Sequence, residues 1–157
     1  MANGPNRREL LIAMSGLSAL PFVWAASSAI PPSQSLPDEL ARALRSGNPL
    51  VVMVSLEGCP FCKIARENYL APLREREGLP VVQIDMRSKV PVKDFGGVVT
   101  TFEEWIRARN VKVAPTLLFF GRGGTEVVER MTGGYIPDFY GSYLDDRLRE
   151  ARKILQS

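Results

Sequence analysis

The chain has no histidine, and its 157 residues include only two cysteines, Cys59 and Cys62. Without histidine there is no Cys–His or Ser–His catalytic pair, and no histidine-ligated zinc or haem. Two thiolates also fall short of the four that a zinc or iron–sulfur site of that type draws from one chain. Neither a metal nor another cofactor is expected. Clusters of one charge are missing too: 20 basic and 17 acidic residues are spread along the chain, for a formal net charge of +3. No Lys/Arg block or aromatic–basic stripe marks a nucleic-acid surface. What remains is a globular composition, 45% hydrophobic and 24% charged, of a length that suits one domain.

A long apolar run occurs only at the N-terminus. Arg7 and Arg8 precede residues 10–26, and Ser27-Ser28-Ala29 supplies the small residues of a cleavage site. Residues 1–29 read as a signal peptide, and residues 30–157 as the exported domain. Asn6-Arg7-Arg8-Glu9-Leu10-Leu11 partly fits the twin-arginine pattern, so general secretory and twin-arginine export both stay open. Residues 10–30 could also just span about 30 Å of hydrocarbon as an uncleaved anchor. In either case the domain is expected outside the cytoplasm, in the periplasm or an equivalent compartment where disulfides persist.

The rest of the chain predicts alternating helices and strands. Residues 36–46 have helical spacing, with Leu36, Leu40, Ala43 and Leu44 on one face. Residues 49–56 form an apolar run without alternation, which suits a strand covered on both sides. A helix over residues 61–77 should pack Ile64, Ala65, Tyr69 and Leu73 and should kink at Pro72. Residues 79–85 read as a strand, and residues 87–99 as irregular. Thr101-Phe102-Glu103-Glu104 is a capping box that opens a helix to about Arg109. Residues 113–120 and 125–131 read as a hairpin across Gly121-Arg122-Gly123-Gly124. A last helix from Pro137 to Leu155 should turn Phe139, Tyr143, Leu144, Leu148 and Ala151 inward. Residues 31–35 read as a flexible lead-in.

Cys59 falls where a buried strand gives way to a helix, with Pro60 early in that helix. A thiol there faces unpaired amides and the positive end of the helix dipole, which favours thiolate, the nucleophile of disulfide exchange. Cys62, one turn on, can reach back to close the ring. The alternative is a staple, but closing so short a ring stabilises by only ~2 kcal/mol, against ~3 for fifteen residues. The position therefore points to a working dithiol, with Cys59 attacking and Cys62 resolving.

Glu57-Gly58-Cys59-Pro60-Phe61-Cys62 after a buried strand, Val113-Ala114-Pro115-Thr116 before the hairpin, and Gly133-Gly134-Tyr135 before the last helix resemble the thioredoxin-like proteins. The resemblance runs from about Leu36 to Leu155. It implies an α/β thioredoxin fold, a central mixed four-stranded sheet flanked by helices, here with an extra N-terminal helix. It implies thiol-disulfide oxidoreductase activity at Cys59 and Cys62, with Pro60 and Phe61 as the active-site dipeptide. It also implies a cis-proline at Pro115 and substrate-backbone pairing at Ala114; otherwise Pro115 is an ordinary strand-start proline.

Within the family, the exported signal and the active-site run look most like SoxW-type periplasmic thioredoxins. That implies protein disulfide substrates and electrons from a membrane-embedded thiol carrier. Cytoplasmic members carry a buried aspartate and a lysine that relay a proton to the second cysteine. Met53 and Val81 stand in those places here, and Gly58 stands where a tryptophan would be. Glu57 is then a candidate modulator of Cys62, or else a solvated loop acid. The missing histidine in the dipeptide favours reduction over disulfide donation. A binding module or assembly chaperone, with a groove around Phe61, Ala114 and Tyr135, is the reading from another class. No dimerisation segment is visible, so a monomer is expected.

Overall fold

Six consecutive residues, Leu50–Ser55, are all buried, which requires cover on both faces and partners on both edges. The computed structural model, which describes Met1, residues 30–134 and residues 137–157, supplies both. The strand Leu50–Ser55 (β1) pairs in parallel with Val81–Asp85 (β2), Val51 opposite Val81 and Ser55 opposite Asp85. On its other side it runs antiparallel to Thr116–Phe120 (β5), which pairs with Met131–Thr132 (β6). The order β2-β1-β5-β6 makes a mixed four-stranded sheet with β1 at its centre.

Alternation along β1 then sorts the core. Val51 and Met53 point to one face, where they pack with Leu117, Phe119, Tyr140, Leu144 and Cys62. Leu50, Val52 and Val54 point to the other, with Leu36, Ile84, Trp105, Leu118 and Phe120. The second face is covered by the helices Leu36–Arg45 (α1) and Phe102–Ala108 (α4). α4 starts in a capping box: the Glu104 amide donates to Thr101 Oγ1 at 3.3 Å, and the Thr101 amide donates to Glu104 Oε2 at 3.2 Å. Buried Glu39 does related work for α1. It accepts from Ser33 Oγ at 2.7 Å and from the Gln34 amide at 2.8 Å, so its carboxylate is satisfied by donors at the helix entrance.

The first face is covered by a chain of helical segments, Pro60–Ile64 (α2), a π-helical turn Ala65–Leu70 and Ala71–Glu77 (α3), and by Pro137–Gln156 (α5). The widened turn stands where a kink at Pro72 is expected. Proline lacks an amide proton and its ring clashes with the carbonyl four residues earlier, and an i to i+5 turn just before it relieves both.

Several expectations are corrected. Residues 31–35 are not a free lead-in: the Gln83 amide donates to the Pro31 carbonyl at 2.9 Å and the Ser33 amide to the Gln83 carbonyl at 2.9 Å, which covers the outer edge of β2. Residues 87–99 are not wholly irregular, because Pro91–Lys93 (β3) and Val99–Thr101 (β4) form a small antiparallel pair. The return strand over 125–131 is broken. Glu126 bridges to Phe120, and pairing resumes only at Met131, with Val128 buried between them. On α5, Phe139 and Tyr143 face solvent at 58% and 55% exposure, and Tyr140 is the buried aromatic instead. On α2, Ile64 is 37% exposed and buried Leu70 takes the core position. The proposed signal peptide and Tyr135 lie outside the described residues.

Candidate active site

The dithiol is placed by the end of β1. Leu56, Glu57 and Gly58 turn the chain, and Gly58 adopts φ +74°, a left-handed conformation that glycine takes without steric cost. A side chain is strained there, which gives a physical reason for glycine beside the first cysteine. Cys59 follows as the N-cap of α2, in extended conformation. Its Sγ accepts the amide of Cys62 at 3.2 Å. Pro60 occupies the first helical position, where its missing amide costs nothing.

The structure brings Cys59 and Cys62 together as a disulfide, with Cα atoms 5.3 Å apart. The two sulfurs are not equivalent. Cys59 is half-buried, whereas Cys62 is fully buried among Met53, Leu117 and Ala65. An incoming thiolate or disulfide can approach the first sulfur and not the second. Pro60 and Phe61 are exposed beside it, Phe61 at 47%.

Facing Cys59 is the loop ahead of β5. Cys59 Sγ lies 3.9 Å from the Ala114 carbonyl oxygen, and the Ala114–Pro115 peptide is cis. Thr116 Oγ1 donates to the Val113 carbonyl at 2.7 Å, and the Gly133 amide to the Pro115 carbonyl at 2.7 Å, which ties the loop to β6. Gly134 is wedged in this corner: a Cβ there would stand 3.2 Å from Phe61 Cβ and 3.3 Å from Pro115 Cγ. Dipeptide, proline and glycine turn therefore form one surface.

Glu57 is exposed on the turn, while Cys62 lies at the bottom of the site. Met53 and Val81 are both buried and apolar, so no carboxylate stands at either position. Among the described residues no group of three or more histidine, cysteine, aspartate or glutamate side chains could hold a metal. A groove of about 1280 Å³ runs from Cys59 past Lys63 and Arg66 to Gln83 and Asp85. Sequence reasoning passed over Arg66. Its Nε donates to Gln83 Oε1 at 2.7 Å and one terminal nitrogen to Ser55 Oγ at 3.1 Å. The available signal was its place four residues after Cys62, on the same side of the helix.

The thioredoxin-like domain family matches residues 36–147, more than half of the chain. No curated protein matches. Among solved structures, a thioredoxin of Fasciola hepatica is 17% identical, with TM-score 0.52, and the match covers 78% of this chain and 99% of that one. Mitochondrial thioredoxin 3 of Saccharomyces cerevisiae is 14% identical, with TM-score 0.51 and coverage of 77% and 94%. The periplasmic thioredoxin SoxS of Paracoccus pantotrophus is 23% identical over 66% of this chain and 98% of its own, with TM-score 0.45. With the family match over most of the chain and the fold shared with the Fasciola and yeast thioredoxins, the chain belongs to the thioredoxin-like domain family, the thiol-disulfide oxidoreductases built on this fold.

Proposed function

We propose that this oxidoreductase is exported and reduces disulfides of extracytoplasmic proteins through Cys59 and Cys62. The observation that carries the reading is the inequality of the two sulfurs: Cys59 half-exposed at a helix N-cap, Cys62 fully buried behind it. The Cys59 thiolate attacks a substrate disulfide, one substrate thiolate leaves, and a mixed disulfide forms. Cys62 then attacks Cys59 Sγ, releases the second substrate thiol and leaves the enzyme oxidised. Phe61, Ala114 and Pro115 would hold the substrate backbone beside Cys59. A membrane-embedded thiol carrier would return the two electrons. The N-terminal run and its small-residue site support export. The same chain is read as a monomer that binds no nucleic acid.

The test is turnover of a disulfide-bonded protein by residues 30–157 together with the reduction potential of the pair. A potential near that of thioredoxin, roughly −270 mV, supports reduction; one near the oxidant DsbA, roughly −120 mV, reverses the direction. Cys59→Ser should abolish turnover, while Cys62→Ser should accumulate mixed disulfides with substrate. If Cys59→Ser keeps its function, the fold serves as a binding module instead.

A further inference from the structure

The family's buried acid is replaced by Met53, yet the site is not without fixed charge. Arg66 is half-buried and reaches from the π-helical turn to the sheet, where it is held by the Gln83 amide oxygen and the fully buried Ser55 hydroxyl. Both partners are neutral, and Arg66 takes part in no salt bridge among the described residues. An arginine that spans from a helix to two strands in this way keeps its charge in one place, in a setting that screens it less than open water does.

That place is the wall of the groove that begins at Cys59. The other charged groups facing the groove are Glu57, Lys63, Glu67, Asp85 and Arg87. Glu57, Lys63, Glu67 and Arg87 are exposed and therefore strongly screened. Asp85 is half-buried and opposes Arg66, but its Oδ1 already accepts the Arg87 amide at 3.0 Å. The loop bearing Ala114 adds Lys112, which lines a separate pocket with Arg130 and Thr132.

We infer that Arg66 is a positioning residue for the exchange reaction, its fixed charge stabilising the thiolate of Cys59. This rests on the exchange reading above. When the dithiol closes, two protons and two electrons leave the pair, the electrons passing to the substrate disulfide. Arg66 bears on the first event only, the loss of the Cys59 proton to solvent. By favouring the charged reduced form it also raises the reduction potential of the pair.

The test titrates the Cys59 thiolate by its ultraviolet absorbance in a Cys62→Ser background, and measures the potential of the pair with both cysteines present. Arg66→Met should raise the thiol midpoint by about half a pH unit and make the potential more negative, with Arg66→Lys restoring most of both. Should Arg66→Met not fold, Arg66→Gln, neutral but still able to donate to Ser55, carries the same expectation. A folded neutral variant with unchanged midpoint and potential, or a lysine no better than methionine, overturns the inference and leaves Arg66 as a brace. Failure of the exchange reading looks different: the wild-type pair would not turn over substrate at all, whatever stands at position 66.

Discussion

The two faces of the sheet are built to different standards of regularity. The face under α1 and α4 is tightly specified: a capping box starts α4, Glu39 is satisfied at the entrance to α1, and Trp105, Phe95 and Phe120 pack as a ring cluster. Arg109 lies over Trp105 at 3.8 Å and closes the cluster from outside. Burial there pulls its guanidinium below the usual range, and Asp94 and Glu126 work against that shift. The face under α2, α3 and α5 holds Cys62 and departs from regular structure around it. Its helix widens into a π turn, its closing strand is two residues long, and Gly134 presses against Phe61 and Pro115. Among the described residues, each face also buries a side-chain polar atom without a hydrogen-bond partner, Trp105 Nε1 on one and the Tyr140 hydroxyl on the other. Irregularity gathers where sulfur must be reached, and the opposite face supplies the stability that tolerates it.

That division predicts stability losses without redox effects on one side and redox effects on the other. Trp105→Ala should have the largest effect on folding, costing about 3–5 kcal/mol by urea unfolding while leaving the potential of Cys59–Cys62 unmoved. A shifted potential would mean that the faces are coupled through β1. Gly134→Ala comes next. It crowds Phe61 and Pro115, should cost about 1–3 kcal/mol, and should slow disulfide exchange about tenfold, because the added methyl displaces the surface around Cys59. Unchanged exchange kinetics would separate the glycine turn from the site. Tyr140→Phe is the smallest change. Burial and the neighbouring Tyr69 push this phenol far above its ordinary range, so it stays neutral, and its hydroxyl has no hydrogen-bond partner among the described residues. Its removal should be neutral or should stabilise by up to about 1 kcal/mol in thermal unfolding.

Much of this was legible in the sequence because local rules sufficed. The apolar run of β1, the Thr101–Glu104 box and the cysteines at a strand–helix junction each carry their signal within a few residues. The misses came from places where distant chain decides. Nothing in residues 31–35 says that β2 has an open edge for them to cover. Helical spacing on α5 allows two faces about 100° apart, and the partner Tyr69, whose ring centroid is 5.0 Å from that of Tyr140, selects the face that puts Tyr140 inside. Pro72 announced a disturbance without saying that a wider turn rather than a bend would absorb it. At the site, the cysteines were evident by position, but Arg66 gains meaning only once Ser55 and Gln83 stand beside each other on neighbouring strands.

The way the chain enters along β2 sets the polarity of the whole domain. Pro32 pairs in parallel with Gln83, so Ile30 comes in toward the Val81 end of that strand, level with the start of β1, and the chain then runs toward the Asp85 end. Leu155 packs beside Gly121, past the end of β5 that pairs with the same start of β1. Both ends of the described domain therefore lie toward the pole where β1 begins, and Cys59 sits past the strand's other end. A sensor or immobilised reagent made from this domain is thus best attached at that pole, with the sulfur facing away from its support.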